Sequence, residues 1–389
     1  MRLIHCLNNI SSQGTDLLSD AYGLSEDATT AEGILVRSAA MHDMEFGENL
    51  LAIARAGAGV NNIPLERCAQ EGIVVFNTPG ANANAVKELV LCALLLGSRG
   101  IIDGIAWCKD NAADENIAKS AEKAKKAFAG REIAGKRLGV IGLGAIGALV
   151  ANAAIDLGMD VYGYDPYVSV GAAWRLNPAV HHACELTEIF AECDYITIHV
   201  PALPNTIGMI NEDAINHMKD GVVFLNFSRD TLVDNNAMAT GLSSGKVGAY
   251  ITDFATPEIM RMEHAIVLPH LGASTEEAED NCAMMAVRQM MAYLETGSIT
   301  NSVNFPACQL GPVASGCARI AVLRANDPEV LGRAALVLQD QGCVIENSVD
   351  VTRKDTAYSV YDVADTAAAD QAAAALSDWD GIYKVRVIR

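Results

Sequence analysis

The chain has 389 residues, 51% of them hydrophobic, with 48 acidic against 28 basic side chains and a formal net charge of −20. That length exceeds one ordinary domain, so two or three are expected, each with enough apolar material for a core. So acidic a chain excludes non-specific nucleic-acid binding and docking on anionic membranes, and any anionic ligand must find a locally positive pocket.

Ten cysteines are scattered along the chain without a C-x-x-C pair or a Cys/His cluster at zinc spacing. They read as reduced thiols in a cytosolic protein, with no metal site. The start, from Met1 to Asn9, lacks the apolar region of a signal peptide, and the longest apolar block, Leu89 to Leu96, is too short to span a bilayer. A soluble, cytoplasmic protein is expected.

Apolar runs at Leu3–Leu7, Gly33–Arg37, Leu51–Arg55 and Gly72–Phe76 predict four strands of an open α/β sheet. Ligands of such sheets gather outside the carboxyl ends of the strands, which singles out the turns after Val36, Ala54 and Phe76. Arg37 and Arg55 stand at two of those ends, either to grip an anion or merely to cap the strands. Val86–Gly104 predicts a long apolar helix. Lys109–Ala129, with Lys119, Lys123, Lys125 and Lys126, predicts a surface helix with a solvated charged face.

The most informative stretch follows. Leu138–Ile141 reads as a buried strand, Gly142-Leu-Gly-Ala-Ile-Gly147 as a G-x-G-x-x-G turn, Ala148–Leu157 as a helix, and Asp160–Tyr164 as a second strand closed by Asp165. In such a βαβ unit Gly142 makes the tight turn, Gly144 lets the backbone approach a pyrophosphate, and Gly147 lets helix and strand pack. Asp165 stands where a ribose hydroxyl acceptor is expected, and its charge repels a 2′-phosphate. NAD is therefore the predicted cofactor, in preference to NADP.

The α/β rhythm continues through Tyr195–Val200 before Pro201, Gly221–Phe227 before Ser228–Arg229, Gly248–Phe254, and Ala265–Leu268 before Pro269–His270. Glu276–Gly297 predicts a long amphipathic helix closed by glycine and returning to the first domain. Pro306, Gly311, Pro312 and Gly316 mark a linker. Beyond it the elements run βαββαβ, a ferredoxin-like unit. The predicted fold class is α/β: two doubly wound parallel-sheet domains, one Rossmann-like and one flavodoxin-like, followed by that small unit. The expected boundaries are 1–95 completed by 281–305 for a substrate-binding domain, 96–280 for the NAD-binding domain, 306–317 for the linker and 318–389 for the tail.

The order of motifs resembles the D-isomer-specific 2-hydroxyacid dehydrogenases. The stretches that carry the resemblance are Arg55-Ala-Gly-Ala-Gly-Val-Asn-Asn62, Asn77-Thr-Pro-Gly80, the glycine turn, His199-Val-Pro201 with Thr206, and Asn226-Phe-Ser-Arg229. Pro269-His-Leu-Gly-Ala-Ser-Thr-Glu-Glu277 looks like the branch acting on 3-phosphoglycerate. The tail, with Asn326-Asp-Pro-Glu-Val-Leu-Gly332, resembles an ACT domain, a small-ligand regulatory module. The resemblance implies oxidation of a small anionic D-2-hydroxyacid with NAD, in a homo-oligomer formed through the cofactor domain. The alternatives are a glyoxylate or hydroxypyruvate reductase acting on an unphosphorylated acid, and a non-catalytic NAD sensor.

Moving a hydride off a hydroxyl-bearing carbon requires the hydroxyl proton to leave, and a histidine is suited to accept it. A carboxylate beside the histidine would steady the imidazolium, and an arginine would grip the substrate carboxylate. The resemblance assigns these roles to His270, Glu258 and Arg229, with Glu263 as a rival to Glu258. Asp230 stands where members of that family usually carry glycine. For the cofactor the resemblance adds Thr78, Ala145, Ile146, Val200, Pro201, Thr206, Ser228, Asp253 and Gly272 to the glycines and Asp165. For the substrate it adds the backbone of Gly57 and Ala58. If Arg37 and Arg55 do not hold a phosphate, Lys126 or Arg131 of a neighbouring segment or subunit remain. In the tail, a serine-binding pattern of histidine, asparagine and glycine maps to Arg324, Asn326 and Glu329, and a later asparagine to Val344. Only Asn326 matches, so the tail reads either as an effector module or as an oligomerisation module.

Overall fold

The first sheet contains β1 (Arg2–Cys6), β2 (Tyr22–Ser25), β3 (Gly33–Val36), β4 (Ala52–Arg55) and β5 (Val74–Phe76), all parallel in the order β2-β1-β3-β4-β5. This is the flavodoxin-like order. All four residues of β3 are buried, as a parallel strand covered on both faces requires. The edge strand β2 escapes sequence reading because Tyr22 is its only buried side chain. The structure is a computed structural model that describes residues 1–377 and 379–389.

The second sheet contains β6 (Arg137–Ile141), β7 (Asp160–Tyr164), β8 (His181–His182), β9 (Tyr195–Ile198), β10 (Val222–Asn226), β11 (Val247–Thr252) and β12 (Ala265–Val267). All its pairings are parallel, in the order β12-β11-β10-β9-β6-β7-β8. This is the doubly wound Rossmann order, whose switch point between β6 and β9 is where such sheets bind dinucleotides. The long apolar helix expected over 86–104 is two helices, Ala83–Ser98 and Ile101–Asp110, bent by 70°. Extended backbone at Arg99 and a non-helical Gly100 make the break, and Arg131 N–H bonds the Ser98 carbonyl there at 2.9 Å. The polar helix is likewise shorter than expected, Ile117–Ala124 followed by a 3₁₀ turn, Lys125–Phe128. No single helix among the described residues is long and apolar enough to cross a membrane; only the bent pair taken together has the length and composition.

The third sheet is antiparallel: β13 (Ala318–Ala325), β14 (Ile345–Arg353), β15 (Thr356–Val363) and β16 (Ile382–Ile388), in the order β14-β15-β13-β16. With helices Pro328–Asp340 and Thr366–Ser377 it completes the ferredoxin-like βαββαβ unit.

Two compact units result: Met1–Ala81 with Glu279–Arg389, and Asn82–Ala278. In the first, the parallel and antiparallel sheets share one core, in which Phe76, Tyr293, Phe305, Tyr358 and Ile388 are buried together. The expected linker is packed rather than loose. Cys308 joins this core, Ile299 and Cys308 exchange backbone hydrogen bonds of 2.8 and 2.9 Å, and Leu310 N–H bonds Ser298 Oγ at 2.9 Å. Composition alone had suggested a tether, but its apolar residues had a core to enter. Polar ties complete the joint: Tyr358 Oη donates to Gly297 O at 2.9 Å and Lys384 Nζ to Leu50 O at 2.8 Å. Helix Glu276–Thr296 ends at Gly297, whose φ of 79° is the left-handed cap that glycine adopts without strain.

Candidate active site

The glycine turn after β6 separates into two kinds of glycine. Gly142 has φ 91°, and a Cβ there would lie 2.6 Å from the His199 carbonyl oxygen. A Cβ on Gly147 would lie 1.9 Å from the Gly142 carbonyl oxygen. The fold itself needs both. Gly144 has an ordinary φ of −68°, and its Cβ would meet nothing within 4 Å among the described residues. Its missing side chain leaves open floor in front of helix Ala145–Asp156, whose N-terminus has no side-chain cap. Helix-terminal N–H groups facing such a space suit a pyrophosphate. Asp165 is pinned at the end of β7, Oδ2 accepting from Leu143 N–H and Oδ1 from Tyr167 N–H, each at 2.9 Å. Its remaining lone pairs can accept from ribose hydroxyls.

Beyond β9 and β10 two loops are tied together. Ser228 Oγ donates to Val200 O at 2.6 Å, and Thr206 Oγ1 donates to Pro201 O at 2.6 Å while accepting from Leu203 N–H at 2.8 Å. Val200, Pro201, Thr206 and Ser228 thus form one cluster at the carboxyl ends of these strands. Two residues of the motifs quoted above had been given no role of their own. Asn226, fully buried, donates to Arg229 O at 2.8 Å and accepts from Ser228 N–H at 3.1 Å, folding the loop that presents Arg229. Its signal is a polar residue closing an apolar strand. His199 binds Thr197 Oγ1 at 3.0 Å through Nε2, and burial pushes its pKa down to about 4, so the ring is neutral.

Arg229 is exposed and donates to its neighbour Ser228 O at 2.6 Å. Asp230 does not pair with it; the Asp230 carboxylate accepts from Thr231 N–H at 2.8 Å. Asp253, only 3% exposed, accepts from Gly272 N–H at 3.0 Å through Oδ2. Its Oδ1 is buried with no partner among the described residues, an arrangement that calls for a donor from a ligand. Burial raises the Asp253 pKa, against the pull of the Gly272 N–H, His270 and Arg229. His270 N–H bonds Asp253 O at 2.9 Å, and the ring stands edge-on to Phe254 with centroids 5.4 Å apart. Its φ of 47° is uncommon outside glycine, and such backbone concentrates at working sites.

The expected His270–Glu258 pair is not formed. Glu258 is exposed and turns to its own N–H and the Thr256 hydroxyl, which lower its pKa. No hydrogen bond or ion pair among the described residues joins Glu258 or Glu263 to His270.

In the other unit the carboxyl ends of β3, β4 and β5 bring together Arg37, Arg55, Gly57, Ala58 and Thr78. Asn8 Oδ1 accepts from the N–H groups of Arg37, Ser38 and Ala39 at 3.0, 3.1 and 3.0 Å, fixing the loop after β3. Arg55 Nε donates to Arg37 O at 3.0 Å, and the guanidinium lies over Gly57, where a Cβ would sit 1.9 Å from Nη1. Gly57 O accepts from Thr78 N–H at 3.1 Å and Ala58 O from Asn77 Nδ2 at 2.7 Å. Thr78 is fully buried beside the Cys282 thiol. Arg37 Nη2 meets Glu279 Oε1 at 2.6 Å, a contact that sequence could not reveal.

The reserve cations lie elsewhere. Arg131 sits over the Tyr195 ring, 5.2 Å from its centroid, and donates to Gly221 O at 3.1 Å, at the amino end of β9 and away from the site loops of that sheet. Lys126 is exposed on the 3₁₀ turn. In the tail, Arg324 is 1% exposed and bonds Ser359 Oγ at 2.8 Å and Asp350 Oδ1 at 2.7 Å, so its guanidinium serves the sheet. Asn326 donates to Lys354 O at 2.7 Å, Glu329 pairs with Arg333, and Val344 is exposed.

Residues 92–272 match the family model for the D-isomer specific 2-hydroxyacid dehydrogenase, NAD binding domain. The chain belongs to the D-isomer-specific 2-hydroxyacid dehydrogenase family. Within it, the chain is 31% identical over 359 residues to a D-3-phosphoglycerate dehydrogenase of Haemophilus influenzae, covering 89% of this chain and 83% of the relative. It is 33% identical over 318 residues to the D-3-phosphoglycerate dehydrogenase of Homo sapiens, covering 78% of this chain and 57% of that one. The chain thus spans little more than half the length of such mammalian relatives. A crystal structure of NAD⁺-bound 3-phosphoglycerate dehydrogenase from Entamoeba histolytica aligns with a TM-score of 0.61 at 26% identity, covering 78% of this chain and 98% of that one.

Proposed function

We propose that the chain is an NAD-dependent D-3-phosphoglycerate dehydrogenase, oxidising D-3-phosphoglycerate to 3-phosphohydroxypyruvate and so opening L-serine biosynthesis. The observation that carries the reading is the grouping of His270 and Arg229 around the buried, half-satisfied Asp253 at the carboxyl ends of the Rossmann strands. NAD, when bound, supplies the hydride acceptor. Gly142, Gly144, Ala145, Ile146 and Gly147 would give its pyrophosphate a backbone seat, Asp165 would accept from its ribose, and the unpaired Asp253 Oδ1 would accept a donor from its nicotinamide end. Within the Rossmann unit Val200, Pro201, Thr206, Ser228 and Gly272 complete the cofactor set.

Arg229 holds the substrate carboxylate and stabilises the carbonyl as it forms. His270 takes the hydroxyl proton at its ring nitrogen. Glu258 acts as the orienting carboxylate once it leaves the Thr256 hydroxyl. Arg37 and Arg55, with the backbone of Gly57 and Ala58, receive the phosphate. The assignment gives substrate binding to the first parallel sheet and NAD binding to the second. The C-terminal sheet is an ACT-like regulatory or oligomerisation module. A homo-oligomer through the cofactor unit is supported by helix Ile101–Asp110, which leaves Ile101, Ile102 and Ile105 each at least 41% exposed.

One observation favours the runner-up, an unphosphorylated acid: Glu279 already engages Arg37. NADH formation with D-3-phosphoglycerate, D-glycerate and D-lactate decides between them. The reading expects D-3-phosphoglycerate to give the highest kcat/KM, and a preference for D-glycerate would replace it with the runner-up.

A further inference from the structure

Arg37 does not wait for a ligand with its charge unmet. Its Nη2 lies 2.6 Å from Glu279 Oε1, and both side chains remain about two-fifths exposed, 40% and 43%. Glu279 is no passing surface acid. It belongs to the first turns of helix Glu276–Thr296, whose next apolar residues, Cys282 and Ala283, are buried. Ala283 packs so closely on Gly14 that a Cβ there would lie 2.7 Å away. Further along, Gln289 donates to Asn77 O at 3.0 Å, beside Thr78. The helix therefore delivers the carboxylate to the arginine cradle from a fixed base.

A phosphate dianion arriving at Arg37 faces two costs. The existing ion pair must open, and the displaced carboxylate stays near the incoming negative charge. We infer that Glu279 is a built-in competitor for the substrate's phosphate, a specificity-determining residue that weakens binding of phosphorylated acids while leaving unphosphorylated acids nearly untouched. This rests on the reading of Arg37 as a phosphate ligand. Because the pair is exposed, its effect is modest and screened by salt.

The test is calorimetric binding to the full chain with NADH bound, so that no turnover occurs. The ligands are D-3-phosphoglycerate and D-glycerate, and the proteins are wild type, Glu279→Gln, Arg37→Ala and the double variant. Glu279→Gln should tighten D-3-phosphoglycerate about three- to fivefold, the span of one exposed ion pair. D-glycerate should change less, and the gain should vanish in the Arg37→Ala background and shrink as salt rises. Glu279→Asp, which keeps the charge on a shorter arm, should fall between wild type and Glu279→Gln and serves if the latter folds poorly. Weaker or unchanged phosphoglycerate binding in Glu279→Gln, with Arg37→Ala still damaging, overturns the competitor and leaves the phosphate reading standing. No effect of Arg37→Ala, or no binding to wild type, overturns the phosphate reading and the competitor with it.

Discussion

The two sets of site loops are built on opposite plans. In the Rossmann unit the proposed cofactor seat is mostly backbone: a glycine turn, an uncapped helix start, and carbonyls tied by Ser228 and Thr206. In the flavodoxin-like unit the proposed phosphate seat is two long arginine side chains, each held by another part of the same unit. A backbone seat is fixed once the strands pair. A side-chain seat can be retuned by one neighbouring residue, as Glu279 does for Arg37. The cofactor half is therefore expected to be rigid and specific, and the substrate half adjustable.

The largest effect should come from the chemistry that both plans serve. His270→Ala should lower single-turnover hydride transfer by about 10²–10⁴-fold while NADH affinity stays near wild type. A rate within threefold of wild type would remove His270 from the mechanism. Next, Arg55→Ala should raise KM for D-3-phosphoglycerate at least roughly tenfold, since a hydrogen bond to a charged group contributes about 1.5–3 kcal/mol. The penalty should be smaller for D-glycerate; equal penalties would mean that Arg55 serves the carboxylate or the fold. Smaller again, Asp165→Ala should narrow the kcat/KM preference for NAD over NADP, and an unmoved ratio would take the ribose role away from it.

The smallest effect is one of stability and pH. Burial raises the Asp253 pKa in the folded chain above its unfolded value. Its carboxyl therefore favours folding below the unfolded pKa, and that contribution is lost as pH rises through the folded pKa. Measured by thermal unfolding without cofactor, Asp253→Asn should gain on wild type between acid and neutral pH. A difference that is constant with pH would show that Asp253 is not strained by burial.

What sequence could read follows the same division. The glycine turn, the place of Asp165 at a strand end and most of the parallel strands were legible because local backbone chemistry writes them: short apolar runs, glycines at forced angles, an acid closing a strand. The contacts of Arg37, Glu258 and segment 306–317 were not. Arg37 meets a residue from a distant helix, Glu258 is exposed and makes no pair with His270, and the proline- and glycine-marked segment enters a core assembled from both ends of the chain. Long side chains choose among partners that only the folded chain brings near. The pair of buried Arg324 with the partly exposed Asp350 in the tail is a further case, an arginine turned inward by its own sheet.

The plan of the cofactor half is tested most directly at Gly144. Its backbone angle is ordinary, and a methyl group there would meet nothing within 4 Å among the described residues, so Gly144→Ala should fold as wild type does. NAD titration and thermal unfolding of the same preparation give the answer. The account predicts an unchanged Tm with NAD affinity reduced about tenfold or more, as a methyl fills the floor where the pyrophosphate approaches. Unchanged affinity at unchanged Tm would contradict it, and would place the dinucleotide away from the glycine turn.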